Sequence, residues 1–308
     1  MKISRRKFLK LVGSGIAVVV VGGTVWHAFS NGVFSTGQGP AYEPWKDWKT
    51  ESEQGTGPLL LVASAILAAN PHNTQPWLFV VSPNRIELFA AINRNIGAID
   101  PYLREMYEGL RCALENLVLA AEAKGYAYDL ELMPNPPSKT HVARINLIAT
   151  TKNKNNVNEN ATTTTIESSV KSEAFSLYIA IPQRHTNRGP YDKNRPVSQE
   201  ILESLEALGK TINPQRLAVF WFTTNDQRRK VGDFILQATQ AIVADKQQSY
   251  DDFKWFRSNW QDIQTNKDGL TVDASGSHGI LTFWPNYCHQ YPRKSTAAPN
   301  CSWLKRPV

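Results

Sequence analysis

The stretch from Pro58 to Val81 reads PLLLVASAILAANPHNTQPWLFVV and sets the pattern for the first half of the chain. Its first part, Pro58 to Ala69, is apolar on most faces and begins with proline, which is tolerated in the first turn of a helix. We therefore expect a buried helix there. Asn70-Pro71-His72-Asn73 breaks it, and Trp77 to Val81 has the aromatic and β-branched residues of a buried strand.

The same alternation continues up to residue 150. A second strand is predicted from Ile86 to Phe89. Apolar residues at helical spacing then predict a long helix from Pro101 to Lys124, which Gly125 ends as a C-terminal cap. A strand from His141 to Ala149 completes a helix-strand-helix-strand lobe, which we assign to residues 57–150.

A second lobe is predicted over residues 174–270. Phe175 to Ile181 and Leu217 to Thr223 are apolar runs expected to form strands, and helices are expected from Ser198 to Gly209 and from Asp226 to Asp245, the latter capped by Asn225 or Asp226. Alternating helices and strands in both halves predict an α+β fold, or an α/β sandwich, and exclude a helical bundle and an all-β fold. Residues 151–173 are dominated by Asn, Thr, Lys and Ser, which predicts a flexible linker between the lobes.

The N-terminus has the architecture of an export signal. Ser4-Arg5-Arg6-Lys7-Phe8-Leu9-Lys10 precedes an uncharged run to Ser30 and is similar to the twin-arginine motif. A signal anchor or transmembrane helix is the competing interpretation, although the glycines in the run weaken it. We assign residues 1–30 to the signal, leave a retained membrane anchor open, and assign residues 31–56 to a linker. The resemblance implies contact with the twin-arginine translocation machinery and a location in the periplasm or on the outer face of the cytoplasmic membrane.

Composition excludes several classes of protein. With 42% hydrophobic residues among 308, the chain has ample material for a core. The formal net charge is +7, but five of the basic residues lie within the first ten positions, so the remainder calls for no nucleic-acid partner. The cysteines at positions 112, 288 and 301 form no metal-ligand spacing, so we predict neither a metal site nor a disulfide framework.

Two polar segments are candidates for a binding site. Asn70 to Gln75 follows a buried helix, and its amide side chains offer paired donors and acceptors to a planar heterocycle. Arg184 to Arg188 places two guanidinium groups around a threonine, which suits a phosphate. On composition alone, an ordinary polar turn and a pair of solvated arginines are the commoner interpretations.

Both segments resemble motifs of the nitroreductase superfamily. The Asn-x-Gln-Pro-Trp run resembles the segment that contacts FMN in those flavoproteins, which implies that Asn73 and Gln75 reach the flavin while Asn70, Pro71 and His72 pack beside it. The family often has small serines before the Asn, where this chain has Asn-Pro-His.

The arginine segment resembles the Arg-x-Ser-x-Arg phosphate site of the same superfamily. That resemblance implies that Arg184, Thr186 and Arg188 hold the phosphate of FMN, and Asn187 between them is a further candidate for binding the cofactor. The aromatic residues Trp255, Phe256 and Trp260 are candidates either for covering the flavin or for the core.

The order of the two motifs is reversed relative to ordinary nitroreductases, and each occurs once. This order resembles the Acg-like branch, in which one chain looks like a fused dimer of two lobes. The resemblance implies an FMN-dependent oxidoreductase that passes hydride through flavin N5 from a small-molecule donor to an electrophilic acceptor. An FMN-storage protein without turnover and a non-catalytic envelope protein are the alternatives. Residues 271–308 lack any periodicity, so we expect a second lobe left incomplete by truncation or an altered reading frame.

Overall fold

The computed structural model describes most of the chain between residues 37 and 274. The described residues are 37–46, 48, 57–148, 174–186, 188, 191–192, 194–212, 218–257, 259–271 and 274. They form two compact units, of which the first contains residues up to 188 and from 251 onward, and the second contains residues between 189 and 250. The predicted export signal, the linker at 151–173 and nearly all of the predicted tail lie outside the described residues.

The described part of the first unit begins with short helical segments. A 3-10 turn, Pro40–Tyr42, leads directly into the short helix α1, Glu43–Lys46. Helix α2, Leu59–Ala65, forms within the segment predicted as a buried helix and is followed by turns up to the Asn70 region.

The sheet of the first unit has four antiparallel strands. They are β1 (Trp77–Ser82), β2 (Arg85–Ala90), β3 (Ala127–Leu132) and β4 (His141–Ile148), in the order β1-β2-β4-β3. β1, β2 and β4 match the predicted strands to within a residue or two. The combination of this sheet with helices confirms the predicted α+β class.

One face of the sheet is buried and the other carries charge. Arg144 in β4 lies opposite both Glu87 in β2 and Glu131 in β3, and it donates to their carboxylates over 2.8 and 2.9 Å. The hydrogen bond from Arg144 is the largest influence on Glu87 and lowers the pKa of that carboxyl group. This ladder links three strands on the face away from the core.

Helix α3, Arg104–Ala123, covers the buried face of the sheet together with α2. The helix starts three residues later than the sequence predicts, because Leu103 has a left-handed backbone (φ 57) and the buried carboxylate of Asp100 caps the first turn. The core between the helices and the sheet includes Leu61, Ala65, Ile86, Leu88, Met106, Leu110, Leu117, Ala143 and Ile145.

The predicted strand from Phe175 to Ile181 is wrong. Residues 174–180 form a helix, α4, and a 3-10 turn follows at Ile181–Gln183. Ala174, Tyr178 and Ile181 are buried, at spacings of four and three residues, while the apolar side chains between them are exposed. Because the whole run is apolar, its sequence did not reveal that the buried residues follow helical spacing.

The second unit consists mainly of helices. They are α5 (Gln199–Ile212), α6 (Asn225–Ala244) and the first part of α7 (Lys246–Phe253), and the boundary between the units falls within α7. Thr224, rather than Asn225 or Asp226, is the N-cap of α6, in a capping box with Gln227. Residues 218–223, predicted as part of a strand, form no strand.

The last described segment of the first unit contains a small second sheet. β5 (Phe256–Arg257) pairs in parallel with β6 (Leu270–Thr271), and helix α8 (Trp260–Asn266) connects them. Across the part of the chain that the structure describes, no helix combines the length and the apolar character needed to cross a bilayer.

Candidate functional site

A cavity of about 500 Å³ opens within the first unit. Its walls come from four segments: residues 37–46, the turn after α2, the loop after α4, and the region from α8 to residue 274. We call residues 37–46 the N-terminal arm, residues 70–75 the amide turn, and residues 184–188 the arginine loop. The volume lies in the range of small-molecule sites in proteins.

The amide turn has an unusual backbone. His72, Asn73 and Gln75 all have positive φ, at 50, 52 and 50°. Left-handed backbone at residues other than glycine is costly and concentrates at functional sites. The side chain of Asn70 stabilises the turn from within, since its Oδ1 accepts from the Gln75 N–H over 2.7 Å and its Nδ2 donates to the carbonyl of Ala68 over 3.1 Å.

The structure places only part of the amide turn on the cavity. Asn70 and Asn73 line it, whereas Pro71, His72 and Gln75 are absent from its described lining. The Gln75 amide Nε2 donates to the Lys267 carbonyl over 2.7 Å, and His72 Nε2 lies 2.6 Å from a carboxylate oxygen of Asp252. Both side chains therefore fasten the turn to the segments from 251 onward, and their predicted proximity to a flavin stays a prediction.

The arginine loop lines the same cavity. Arg184, Thr186 and Arg188 are among its lining residues, while Asn187 lies outside the described residues. One terminal nitrogen of Arg184 donates to the Leu67 carbonyl, 117 residues earlier in the chain, over 3.0 Å. The other terminal nitrogen lies 3.5 Å from the Thr186 hydroxyl oxygen. These bonds use one N–H each, whereas a guanidinium carries five.

The cavity carries an excess of positive charge. Four of its described lining residues are cationic, namely Lys46, Arg184, Arg188 and Lys267, against a single carboxylate, that of Asp268. That carboxylate is already paired, because one oxygen accepts from Arg94 over 2.7 Å and the other from Arg257 over 3.0 Å. The lining therefore favours an anionic ligand, and arginines beside a hydroxyl suit a phosphate group.

Asp268, Arg94 and Arg257 form a group that we call the Asp268 cluster, and it also supports the amide turn. Arg94 Nε donates to the Thr74 carbonyl over 2.5 Å, and the Gly269 N–H donates to the Asn73 carbonyl over 3.1 Å. The guanidinium carbons of Arg94 and Arg257 lie 5.9 and 5.8 Å from the ring centroid of Trp255. Trp255 thus lies against this cluster and, like Phe256 and Trp260, is absent from the described cavity lining.

Sequence reasoning missed three contributors to the site: the arm, Lys267 and the Asp268 cluster. The arm was assigned to a linker, although its described residues form α1 and pack beside the arginine loop. The two closely spaced tryptophans, Trp45 and Trp48, could have indicated a packed segment, since large aromatic side chains are usually buried against the protein. In the described part of the chain, no group of three His, Cys, Asp or Glu residues is arranged to hold a metal ion.

Fold and site together define an α+β protein with a cationic, amide-lined cavity. The chain is 29% identical over 128 residues to the Mycobacterium tuberculosis protein named "Putative NAD(P)H nitroreductase Rv3131", covering 41% of this chain and 32% of that protein. It is 32% identical over 84 residues to the protein of the same species named "Putative NAD(P)H nitroreductase acg", covering 27% of this chain and 25% of the relative. No protein-family model matches the chain.

These matches extend over a limited part of each relative. The chain spans about a third of the length of the curated relatives it matches. They show that the chain is similar to proteins named as nitroreductases.

Proposed function

We propose that this protein is an FMN-dependent oxidoreductase of the nitroreductase type. The observation that carries the proposal is that Asn73 of one motif, together with Asn70 just before that motif, lines the same cavity as Arg184, Thr186 and Arg188 of the other. The resemblance of the two motifs to the flavin and phosphate segments of nitroreductases requires such a meeting. The similarity to relatives named NAD(P)H nitroreductases supports the same assignment.

The donors around the cavity fit FMN. Arg184, Thr186 and Arg188 would hold the phosphate, since guanidinium and hydroxyl groups together supply several N–H and O–H donors to its oxygens. Asn73 would present its amide to the ring, whose carbonyl and N–H edges match amide chemistry. Asn70, whose amide is bonded within the turn, would pack beside the ring. When bound, the flavin supplies hydride transfer between a reduced donor and an electrophilic acceptor such as a nitroaromatic or a quinone.

The residues of the chain would bind the flavin and orient it. The Asn70 side chain and the Asp268 cluster hold the amide turn in its left-handed conformation, which fixes the backbone at Asn73 before any ligand arrives. Preorganisation of this kind lowers the ordering cost of binding. No side chain is assigned the role of general base.

Absorbance of the purified full-length protein tests the proposal. After incubation with FMN and gel filtration, we expect a flavin spectrum close to one FMN per chain. Anaerobic addition of NADPH should then bleach the flavin, and a nitroaromatic or quinone should restore its colour. Absence of bound flavin contradicts the proposal, whereas bound flavin that no reductant bleaches favours the storage alternative.

We further propose export by the twin-arginine pathway, on the strength of the Ser4 to Lys10 segment. Because that pathway carries folded proteins, FMN would be bound before export. Fractionation of cells expressing the wild type and a variant with Arg5→Lys and Arg6→Lys tests this proposal. We expect the variant to remain in the cytoplasm, and equal export of both proteins would contradict it.

A further inference from the structure

The N-terminal arm is hydrogen-bonded to two side chains of helix α8, those of Gln264 and Trp260. Trp260 Nε1 donates to the Gln38 carbonyl over 3.3 Å. Gln264 Oε1 accepts from the Ala41 N–H over 2.8 Å, and Gln264 Nε2 donates to the Gln38 carbonyl over 3.0 Å. Gly39 lies against the same side chain with φ 96, and an added Cβ would be 2.6 Å from Gln264 Oε1, so the arm or the end of the Gln264 side chain would have to shift. Gln264 is absent from the described cavity lining, so it holds the arm without facing the ligand.

The docked arm brings an aromatic ring and a cation to the arginine loop. Tyr42, Trp45 and Lys46 all line the cavity. The Trp45 ring lies 4.6 Å, centroid to centroid, from the His185 ring. The guanidinium carbon of Arg184 lies 5.9 Å from the Trp45 ring centroid, within the range of a cation–π interaction.

These contacts fix the orientation of Arg184. Its side chain is exposed, and a free arginine would distribute over many rotamers. Trp45 contacts the guanidinium and the Leu67 carbonyl accepts from one terminal nitrogen, so two independent contacts restrain the group at the cavity wall. A preoriented guanidinium loses less entropy when it binds an anion.

We propose that the N-terminal arm is an integral part of a phosphate-binding site, in which Trp45 is a positioning residue for Arg184 and Lys46 supplies an additional cation. The ligand chemistry is that of a phosphate monoester. Its identification with the FMN phosphate rests on the proposed function, whereas the role of the arm in binding phosphate does not.

Release of the arm, with every cavity side chain intact, is the sharpest test. Gln264→Ala, always made together with Trp260→Phe, removes the three hydrogen bonds from α8 side chains to the arm. Gly39→Ala adds a Cβ 2.6 Å from Gln264 Oε1 at a residue whose φ of 96° strains any side chain, so the arm or the end of Gln264 must shift. Trp45→Leu removes the aromatic contact, and Trp45→Phe restores an aromatic face. Gln199→Ala is the matched control, because Gln199 is an exposed glutamine whose amide donates to Glu203 within α5.

Three probes are used on the full-length protein: inorganic phosphate, FMN and riboflavin, which lacks the phosphate. Thermal stabilisation by phosphate and quenching of flavin fluorescence give the affinities. We expect Gln264→Ala, Gly39→Ala and Trp45→Leu to weaken phosphate and FMN binding roughly 5-fold, in line with a cation–π contact, and to leave riboflavin unchanged. Trp45→Phe should lie within about 2-fold of the wild type.

The outcomes separate the two proposals. Wild-type protein that binds phosphate but not FMN overturns the flavin assignment, and the phosphate series alone then decides the role of the arm. Wild-type affinities for phosphate and FMN in the arm-release variants and in Trp45→Leu overturn the arm proposal while leaving the flavin assignment standing. A wild type that binds neither ligand overturns both proposals. If Trp45→Leu fails to fold, Gln264→Ala and Gly39→Ala still decide.

Discussion

Gly109 in helix α3 lies directly against Asn70 of the amide turn, so that a Cβ added to Gly109 would be 2.9 Å from the Asn70 Cβ and 3.1 Å from the Pro71 Cδ. Gly109 is buried in the interior of the helix, where glycine normally lowers helix stability. Its absence of a side chain allows the turn to approach the helix backbone. The position of Asn70 on the cavity wall therefore depends on a glycine far from it in sequence.

Gly109→Ala should displace the amide turn. We expect a loss of about 1–3 kcal/mol in the free energy of unfolding, typical of overpacking, together with weaker FMN binding, measured by denaturant titration and flavin fluorescence. Gly232→Ala in α6 is the matched control, because nothing lies within 4 Å of its added Cβ. The control should gain about 0.5–1 kcal/mol from helix propensity. A similar gain for Gly109→Ala would show that the close approach is unimportant.

Asp268→Asn should destabilise the first unit. The amide keeps one acceptor oxygen but places an NH₂ group against one of the two guanidinium groups, which are otherwise held by opposite oxygens of the carboxylate. Because Arg94 is partly exposed, we expect a loss of about 2–3 kcal/mol, below that of a fully buried pair. Urea denaturation measures this loss.

Asp226→Asn is the control for Asp268→Asn. Asp226 also pairs with two cations, Arg229 and Lys230, but on the exposed surface of α6. Exposed pairs contribute little, so the control should leave stability nearly unchanged. Equal losses in the two variants would contradict a special role for the Asp268 cluster.

Asp100→Ala should remove the cap of α3. The buried Asp100 carboxylate accepts from the N–H groups of Arg104 and Met106, over 2.8 and 3.1 Å. Loss of both bonds leaves two helix donors unpaired, and we expect a decrease of about 1–2 kcal/mol in unfolding free energy. Asp100→Asn keeps an acceptor oxygen and should recover part of the loss. An unchanged melting temperature in Asp100→Ala would show that water replaces the cap at no cost.

Local patterns predicted the elements whose burial is periodic. β2, β4 and the long helix α3 carry apolar residues on their buried face, so their sequences identify them. β1 is, up to Val81, a continuous apolar run in which Leu78 and Val80 are exposed. β3 is an edge strand with largely exposed side chains, and residues 174–180 mix buried and exposed apolar side chains. In both cases the pattern that sequence reasoning uses was weak or misleading.

The candidate site was predicted only where it follows motifs. The amide turn and the arginine loop were identified from residue types, and several of their residues line one cavity. The pairs that support them connect distant positions, such as Arg94 with Asp268 and Ala41 with Gln264, 174 and 223 residues apart. No local spacing encodes such contacts, so they could not be predicted from one sequence.

The free energy of unfolding should fall at high pH because Tyr128 has a raised pKa. Burial, followed by a hydrogen bond to Glu122, raises the pKa of Tyr128 from 10.0 to about 12. The unfolded chain therefore loses this proton first as pH rises, so the stabilisation is complete below pH 10 and is lost between about 10 and 12. Urea unfolding from pH 9 to 11 should show a steeper decline for the wild type than for Tyr128→Phe. Parallel declines would contradict the assignment.

The affinity difference between FMN and riboflavin tests the central claim most directly, because the two ligands differ only in the phosphate that the arginine loop is proposed to hold. Arg188 is exposed and lines the cavity, and Arg111 is an exposed arginine on α3 that serves as the control. We predict that the wild type prefers FMN, that Arg188→Gln weakens FMN binding about 10-fold with riboflavin unchanged, and that Arg111→Gln changes neither. Equal wild-type affinity for FMN and riboflavin, or an Arg188→Gln variant with undiminished preference for FMN, would contradict the account.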